Sequence, residues 1–276
     1  MSNATQTEAP IAAAFARARV ENRAALGPYV MAGYPDEATS EALAVALSEA
    51  GADVIELGFA FSDPLADGAT VQRASQGALD NGMTLPKALA LASRIHARIA
   101  TPLVLMGYYN PIFAYGIERF TAEAAAAGVA GLIIPDLPPE EAEPLRAAAA
   151  NHGVELIFMA TPTSTDARIA QIAQMAGKTG GGFIYCVSLS GVTGARNDLP
   201  AELGAFLARV RAATPLPLVV GFGVSRPEHV AQIAAIADGV AIGSALPNAV
   251  DAAPADQRVA AGVAYFRTLQ GGAQRN

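Results

Sequence analysis

A (β/α)₈ barrel is the fold class this sequence predicts, and three observations predict it. Short apolar runs bounded by turn residues recur eight times along the 276 residues. Alanine-rich stretches with apolar residues at helical spacing, such as 37–50 and 116–127, separate them. The runs are continuously apolar, with no polar alternation, which suits parallel strands covered by helices. Eight such units in this length match one barrel domain. The alternative with the same ingredients is an open doubly wound sheet.

The runs are "PYVMAG" (28–33), "DVIELGF" (53–59), "PLVLMGY" (102–108), "GLIIPD" (131–136), "ELIFMA" (155–160), "FIYCVS" (183–188), "LPLVVGF" (216–222) and "GVAIGS" (239–244). Segment 10–22 is expected to be an extra N-terminal helix under the barrel, and residues 1–9 a flexible extension. About 256–270 is the eighth or a final helix. No linker-like stretch divides the chain, so 1–276 is expected to be a single domain.

Composition narrows the function classes. Hydrophobic residues make up 52% and charged residues 16%, the balance of a chain with a large core. A net charge of −7 without a basic stripe argues against nucleic acid. No apolar run reaches the length of a membrane span, and the start lacks the apolar core of a signal peptide. The lone Cys186 excludes an internal disulfide framework. A cytoplasmic protein fits.

Function in a barrel gathers where strands end, because the loops there build the active face. Glu56 is the first candidate, a carboxylate inside an apolar run. Strand alternation puts Val54, Glu56 and Gly58 on one face, and Ile55, Leu57 and Phe59 on the other. The bulkier second set suits the helix layer, which leaves Glu56 in the lumen. Burial would raise its pKa and let it carry a proton near neutral pH. The competing reading is a structural carboxylate satisfied by a backbone amide or a hydroxyl.

Asp63 and Asp67 follow in the next loop, where either could instead cap a helix starting near residue 70. Loops "SLSGVTGARND" (188–198), "GFGVS" (221–225) and "GSA" (243–245) carry small residues that let backbone N–H groups approach an anion. Loops after strands seven and eight are a habitual phosphate site in this fold. Tight turns alone would also explain them.

Scarce residues limit the chemistry. A Schiff base needs a lysine in the lumen, and the only lysines, Lys87 and Lys178, lie outside the strand-like runs. The three histidines, His96, His152 and His229, are scattered over helical segments, so no metal site is expected. What remains is acid–base chemistry on a phosphorylated substrate that supplies its own electron sink.

The motifs "ELGFAFSDPLADGATVQ" (56–72), "PDLP" (135–138), "YCVSLSGVTG" (185–194), "GFGVS" and "GSA" resemble the tryptophan synthase α subunit family, over residues 10 to 270. The resemblance implies retro-aldol cleavage of indole-3-glycerol phosphate to indole and glyceraldehyde 3-phosphate. Glu56 matches the family's acid–base glutamate, and Asp67 the aspartate that holds the indole N–H. Tyr29, Tyr185, Thr193 and Phe222 match substrate-lining positions; Gly194, Gly223, Gly243 and Ser244 match phosphate-binding ones. It also implies a β subunit that receives the indole and carries pyridoxal phosphate, in an α2β2 heterotetramer, with no cofactor in this chain. Two alternatives stay open: a stand-alone lyase releasing free indole, and a non-catalytic activator of the β subunit. The chain departs from the family pattern at Ala60 and Ala69, where proline is usual.

Overall fold

Eight parallel strands, paired in chain order, close into a barrel in the computed structural model, which describes residues 9–178, 182–188, 202–221 and 223–275. They are β1 (Ala25–Met31), β2 (Ile55–Gly58), β3 (Leu103–Met106), β4 (Val129–Ile133), β5 (Glu155–Ala160), β6 (Ile184–Val187), β7 (Leu218–Gly221) and β8 (Gly239–Ile242). Every apolar run carries one of them. Pairing of β8 with β1, from Ala25 with Gly239 to Pro28 with Ile242, excludes the open sheet.

Two strands begin earlier than their runs suggest. β1 starts at Ala25 and passes through Pro28; β4 starts at Val129 and passes through Gly131. Both residues are turn signals in isolation. Gly131 is needed for close packing instead, since a Cβ there would fall 2.9 Å from Ile11 Cδ1 and 3.0 Å from Ile157 Cδ1.

Alternation sorts the side chains into two cores. Val54, Val104, Ile133, Ile157, Tyr185 and Val219 fill the lumen. Ile55, Leu57 and Phe59 face the helices, as the pattern of the second run requires. Helix α1 (Pro10–Val20) closes the lower end with Ile11, Phe15 and Ala18, and Phe15 meets Phe183 at 5.6 Å between ring centres. Pro10 at its first position is pre-set for a helix and gives up no needed donor. Ala9 is described as its N-cap; the rest of the expected 1–9 extension lies outside the described residues.

Helix α3 (Ala69–Asp80) follows β2, and Gly68 is its N-cap without any side-chain cap bond. Neither Asp63 nor Asp67 caps it. Across the barrel mouth, β8 leads into the short helix α11 (Ala245–Asp251) before the last helix, α12 (Arg258–Gln270). Arg73 on α3 donates to Asn248 Oδ1 at 3.1 Å and Asp251 Oδ2 at 2.7 Å, which ties these two walls together.

Of the two alanines at the family's proline positions, Ala69 sits where proline fits, and at Ala60 no backbone hydrogen bond to a described residue would be lost. Ala69 is the first residue of α3, and Gly68 before it has φ −74° and ψ 162°, the extended region that precedes proline. No described residue accepts a hydrogen bond from the Ala60 amide. Ala69→Pro and Ala60→Pro are each expected to stabilise the fold by about 0.4–1 kcal/mol by restricting the unfolded chain. Thermal melting checks this; a lowered melting temperature would mean a backbone path that proline cannot follow.

Candidate active site

Glu56 sits in the middle of β2, between Tyr29 of β1 and Val104 of β3 in the strand register. It is 2% exposed and points into the lumen, with Gly27 of β1 leaving room beside its Oε1. No described residue hydrogen-bonds its carboxyl group, so the reading of a structurally satisfied carboxylate finds no support there. Burial alone pushes its pKa up to about 8. At neutral pH this group holds a proton.

Asp67 reaches the same space from the β2–α3 loop. That loop is held at both ends. Phe61 N donates to Ser75 Oγ at 3.0 Å and Ser75 Oγ donates back to Phe61 O at 2.9 Å. Gln72 Nε2 donates to Asp67 O at 2.9 Å. Burial pushes the Asp67 carboxyl up to about 6, against the hydrogen bond of the Tyr108 hydroxyl, which pulls it down. Two carboxyl groups thus share one cleft with ionisation ranges set apart, one protonated and one ionised at pH 7. Asp63 is exposed in the same loop, with the Ser62 hydroxyl on its Oδ2 at 2.5 Å.

The cleft opens between the strand ends and has a cavity volume of about 110 Å³. Glu56 and Asp67 form its polar floor and wall, with Tyr29 and Tyr185 beside them. Gly223, Gly243 and Ser244 rim it from the loops after β7 and β8. Seven of the residues singled out in the sequence therefore meet in one place. Thr193, Gly194 and Phe222 lie outside the described residues, as does most of the loop 188–198.

Sequence reasoning missed several neighbours. Val71, Met106 and Val224 supply apolar lining. Tyr108, just beyond β3, accepts from Ala66 N at 2.9 Å and stands over Asp67, its ring 5.3 Å from that of Phe61. The signal was its place at the end of the third run, on the face where functional groups collect. A smaller recess of about 10 Å³, lined by Asp67, Phe61, Tyr108 and Pro135 among others, adjoins the cleft.

Both lysines stand away from the lumen: Lys87 on helix α4 (Leu85–His96) and Lys178 at the end of helix α8 (Asp166–Gly177). His96 ends α4, His152 follows helix α7 (Glu143–Asn151), and His229 lies on helix α10 (Pro227–Ala234). Among the described residues no three His, Cys, Asp or Glu side chains are grouped to hold a metal.

Fold and cleft together define a class: a (β/α)₈ barrel with paired carboxyl groups at its strand ends, equipped for proton transfer. Comparison with known proteins makes it particular. The family model for the tryptophan synthase alpha chain matches residues 15–272. A tryptophan synthase alpha chain of Chloroflexus aurantiacus is 51% identical over 260 residues, covering 94% of this chain and 96% of the relative. One from Geobacter sulfurreducens is 50% identical over 236 residues, covering 86% and 88%. Among solved structures, Mycobacterium tuberculosis tryptophan synthase superposes with a TM-score of 0.88 at 37% identity, covering 98% of this chain and 100% of that one. The alpha chain from Legionella pneumophila gives 0.86 at 34% identity, covering 96% and 97%.

The chain belongs to the tryptophan synthase alpha chain family. Its activity is that family's lyase reaction on indole-3-glycerol phosphate, with a β subunit as the partner the family implies.

Proposed function

We propose that this chain, as a single barrel domain, cleaves indole-3-glycerol phosphate with Glu56 as acid and base and Asp67 as the electrostatic anchor. Protonated Glu56 delivers its proton to ring carbon 3, which turns the indole into an electron sink. The resulting carboxylate takes the side-chain hydroxyl proton as the carbon–carbon bond breaks. The bond's electrons return to the ring, and indole and glyceraldehyde 3-phosphate leave. Ionised Asp67 accepts the ring N–H and stabilises the positive charge that develops there, a large term in a site screened from water. Tyr29, Tyr185, Thr193 and Phe222 line the substrate, while Gly194, Gly223, Gly243 and Ser244 hold its phosphate.

The observation that carries this reading is the pairing of a protonated buried Glu56 with an ionised Asp67 in one cleft. Product indole passes to a β subunit within an α2β2 heterotetramer in the cytoplasm. Pyridoxal phosphate belongs to that partner. The residues here do not fit it, because no lysine reaches the cleft. Indole release by the purified chain, measured with and without a β subunit, tests the whole. Strong activation by the partner supports it. Full activity alone would point to a stand-alone lyase, and none in either case to a non-catalytic activator. Neither alternative is favoured by the family assignment.

The phosphate positions have their own test. Gly223 has φ +75°, where any side chain is strained, so a substitution there confounds binding with folding. A Cβ on Gly243 would meet no described residue within 4 Å, which leaves space beside it for an anion. Gly243→Val is expected to leave the melting temperature unchanged and to raise KM for indole-3-glycerol phosphate by roughly tenfold or more by crowding the phosphate. Binding of an analogue lacking phosphate should be nearly indifferent. Equal losses for both ligands would remove Gly243 from the phosphate site.

A further inference from the structure

Tyr29 brings to the cleft a group that none of these roles uses. Its ring accounts for substrate packing; its hydroxyl is a buried donor. The side chain climbs from β1 over the end of β2, where a Cβ on Gly58 would fall 2.0 Å from the phenol oxygen. Only glycine at that strand end admits it. There the hydroxyl donates to the Met31 thioether at 3.9 Å, a weak acceptor. A buried tyrosine hydroxyl ordinarily finds a better partner than that.

Better acceptors stand close by. Tyr29 and Glu56 are register partners across β1 and β2, and both line the cleft with Asp67. The charged and titratable groups facing the phenol are Asp67 from the β2–α3 loop, Glu56 from β2, Tyr108 beyond β3 and Tyr185 of β6. Burial first, then the Asp67 carboxylate and Glu56 once it ionises, holds the phenol neutral, so it can donate but not ionise. Glu56 has no donor among the described residues while it is protonated. Once it has given up its proton, it is an anion in a dry lumen, which is costly without a hydrogen bond.

We propose that Tyr29 is a positioning residue for Glu56: its hydroxyl leaves the Met31 thioether and donates to the Glu56 carboxylate formed after proton transfer, holding that anion until it takes the substrate's hydroxyl proton. This rests on Glu56 being the acid–base group.

The test compares Tyr29→Phe, Met31→Leu and Glu56→Gln with the unaltered chain, each with a β subunit, across the pH range of activity. Tyr29→Phe keeps the ring, so its melting temperature and KM should stay put. Its kcat should fall roughly 10- to 100-fold, the weight of one hydrogen bond to a charged group. The alkaline limb of its pH profile should move upward, because removing a donor from the anion makes Glu56 hold its proton longer. Met31→Leu frees the phenol and should keep or raise kcat. An unchanged kcat and alkaline limb in Tyr29→Phe would overturn the proposal. So would a loss confined to KM, or a loss in Met31→Leu as large as that in Tyr29→Phe. If Glu56→Gln itself kept its turnover, the assignment of Glu56 would fail and this proposal with it. A dead Glu56→Gln beside an unaltered Tyr29→Phe would sink this proposal alone.

Discussion

Glu56→Gln is expected to bind substrate normally and turn it over roughly 10²–10⁴ times more slowly. Glutamine keeps the size of the side chain and can still accept a hydrogen bond, but it has no proton to give to ring carbon 3. Stability should change in the opposite sense to activity. The native carboxyl titrates near 8 against an ordinary value of 4.5. Between those two pH values the folded chain keeps a proton that the unfolded chain has released. Stability from this group is therefore fully present below pH 4.5 and is lost as pH rises to about 8. Glutamine does not titrate, so the melting temperature of the variant should gain on that of the unaltered chain across this window. A variant with a third of normal turnover would remove Glu56 from the proton transfer. Parallel melting curves at all pH values would show that Glu56 is not forced into a protonated state by the fold.

The same burial that makes Glu56 conspicuous in the sequence explains what could be read there and what could not. A glutamate in "DVIELGF" breaks an otherwise apolar run, and alternation alone sends it to the lumen with Val54, as the structure shows. Strand existence was legible for the same reason, since a parallel strand covered by helices needs an unbroken apolar stretch. Strand ends were less so. Pro28 and Gly131 are turn signals by themselves, and only the packing of Ile11 and Ile157 against β4 shows why glycine belongs inside it. The contact of Tyr108 with the Asp67 loop was illegible for a different reason. The tyrosine's partners, Ala66 and Asp67, are some forty residues away in sequence, and they meet only because β2 and β3 are neighbours in the closed sheet. The same holds for the Tyr29 hydroxyl over Gly58, a contact between successive strands that no spacing rule reports. Residues whose role is set by their own segment can be found in a sequence. Those whose role is set by a neighbour's loop need the fold.

Asp67→Asn separates the second carboxylate from mere binding. The asparagine oxygen can still accept the indole N–H, so KM should change little. What is lost is the negative charge opposite a ring that turns cationic on protonation, and kcat should fall by roughly 10²–10³, the scale of losing one preorganised electrostatic partner. The pH profile gives the sharper readout. Asp67 must be ionised and titrates near 6, while Glu56 must be protonated and titrates near 8. The kcat/KM profile of the unaltered chain should therefore be a bell, falling below about 6 as Asp67 gains its proton and above about 8 as Glu56 loses its own. Asp67→Asn should abolish the acid limb and leave the alkaline one. Tyr108→Phe should keep both limbs and move the acid one upward, because the Tyr108 hydrogen bond favours the ionised form of Asp67 and its loss lets burial raise the pKa further. An effect of Asp67→Asn on KM alone would reduce Asp67 to an anchor for the substrate. An acid limb that survives in Asp67→Asn would assign that titration to another group, and the cleft's division into one proton donor and one standing charge would have to be abandoned.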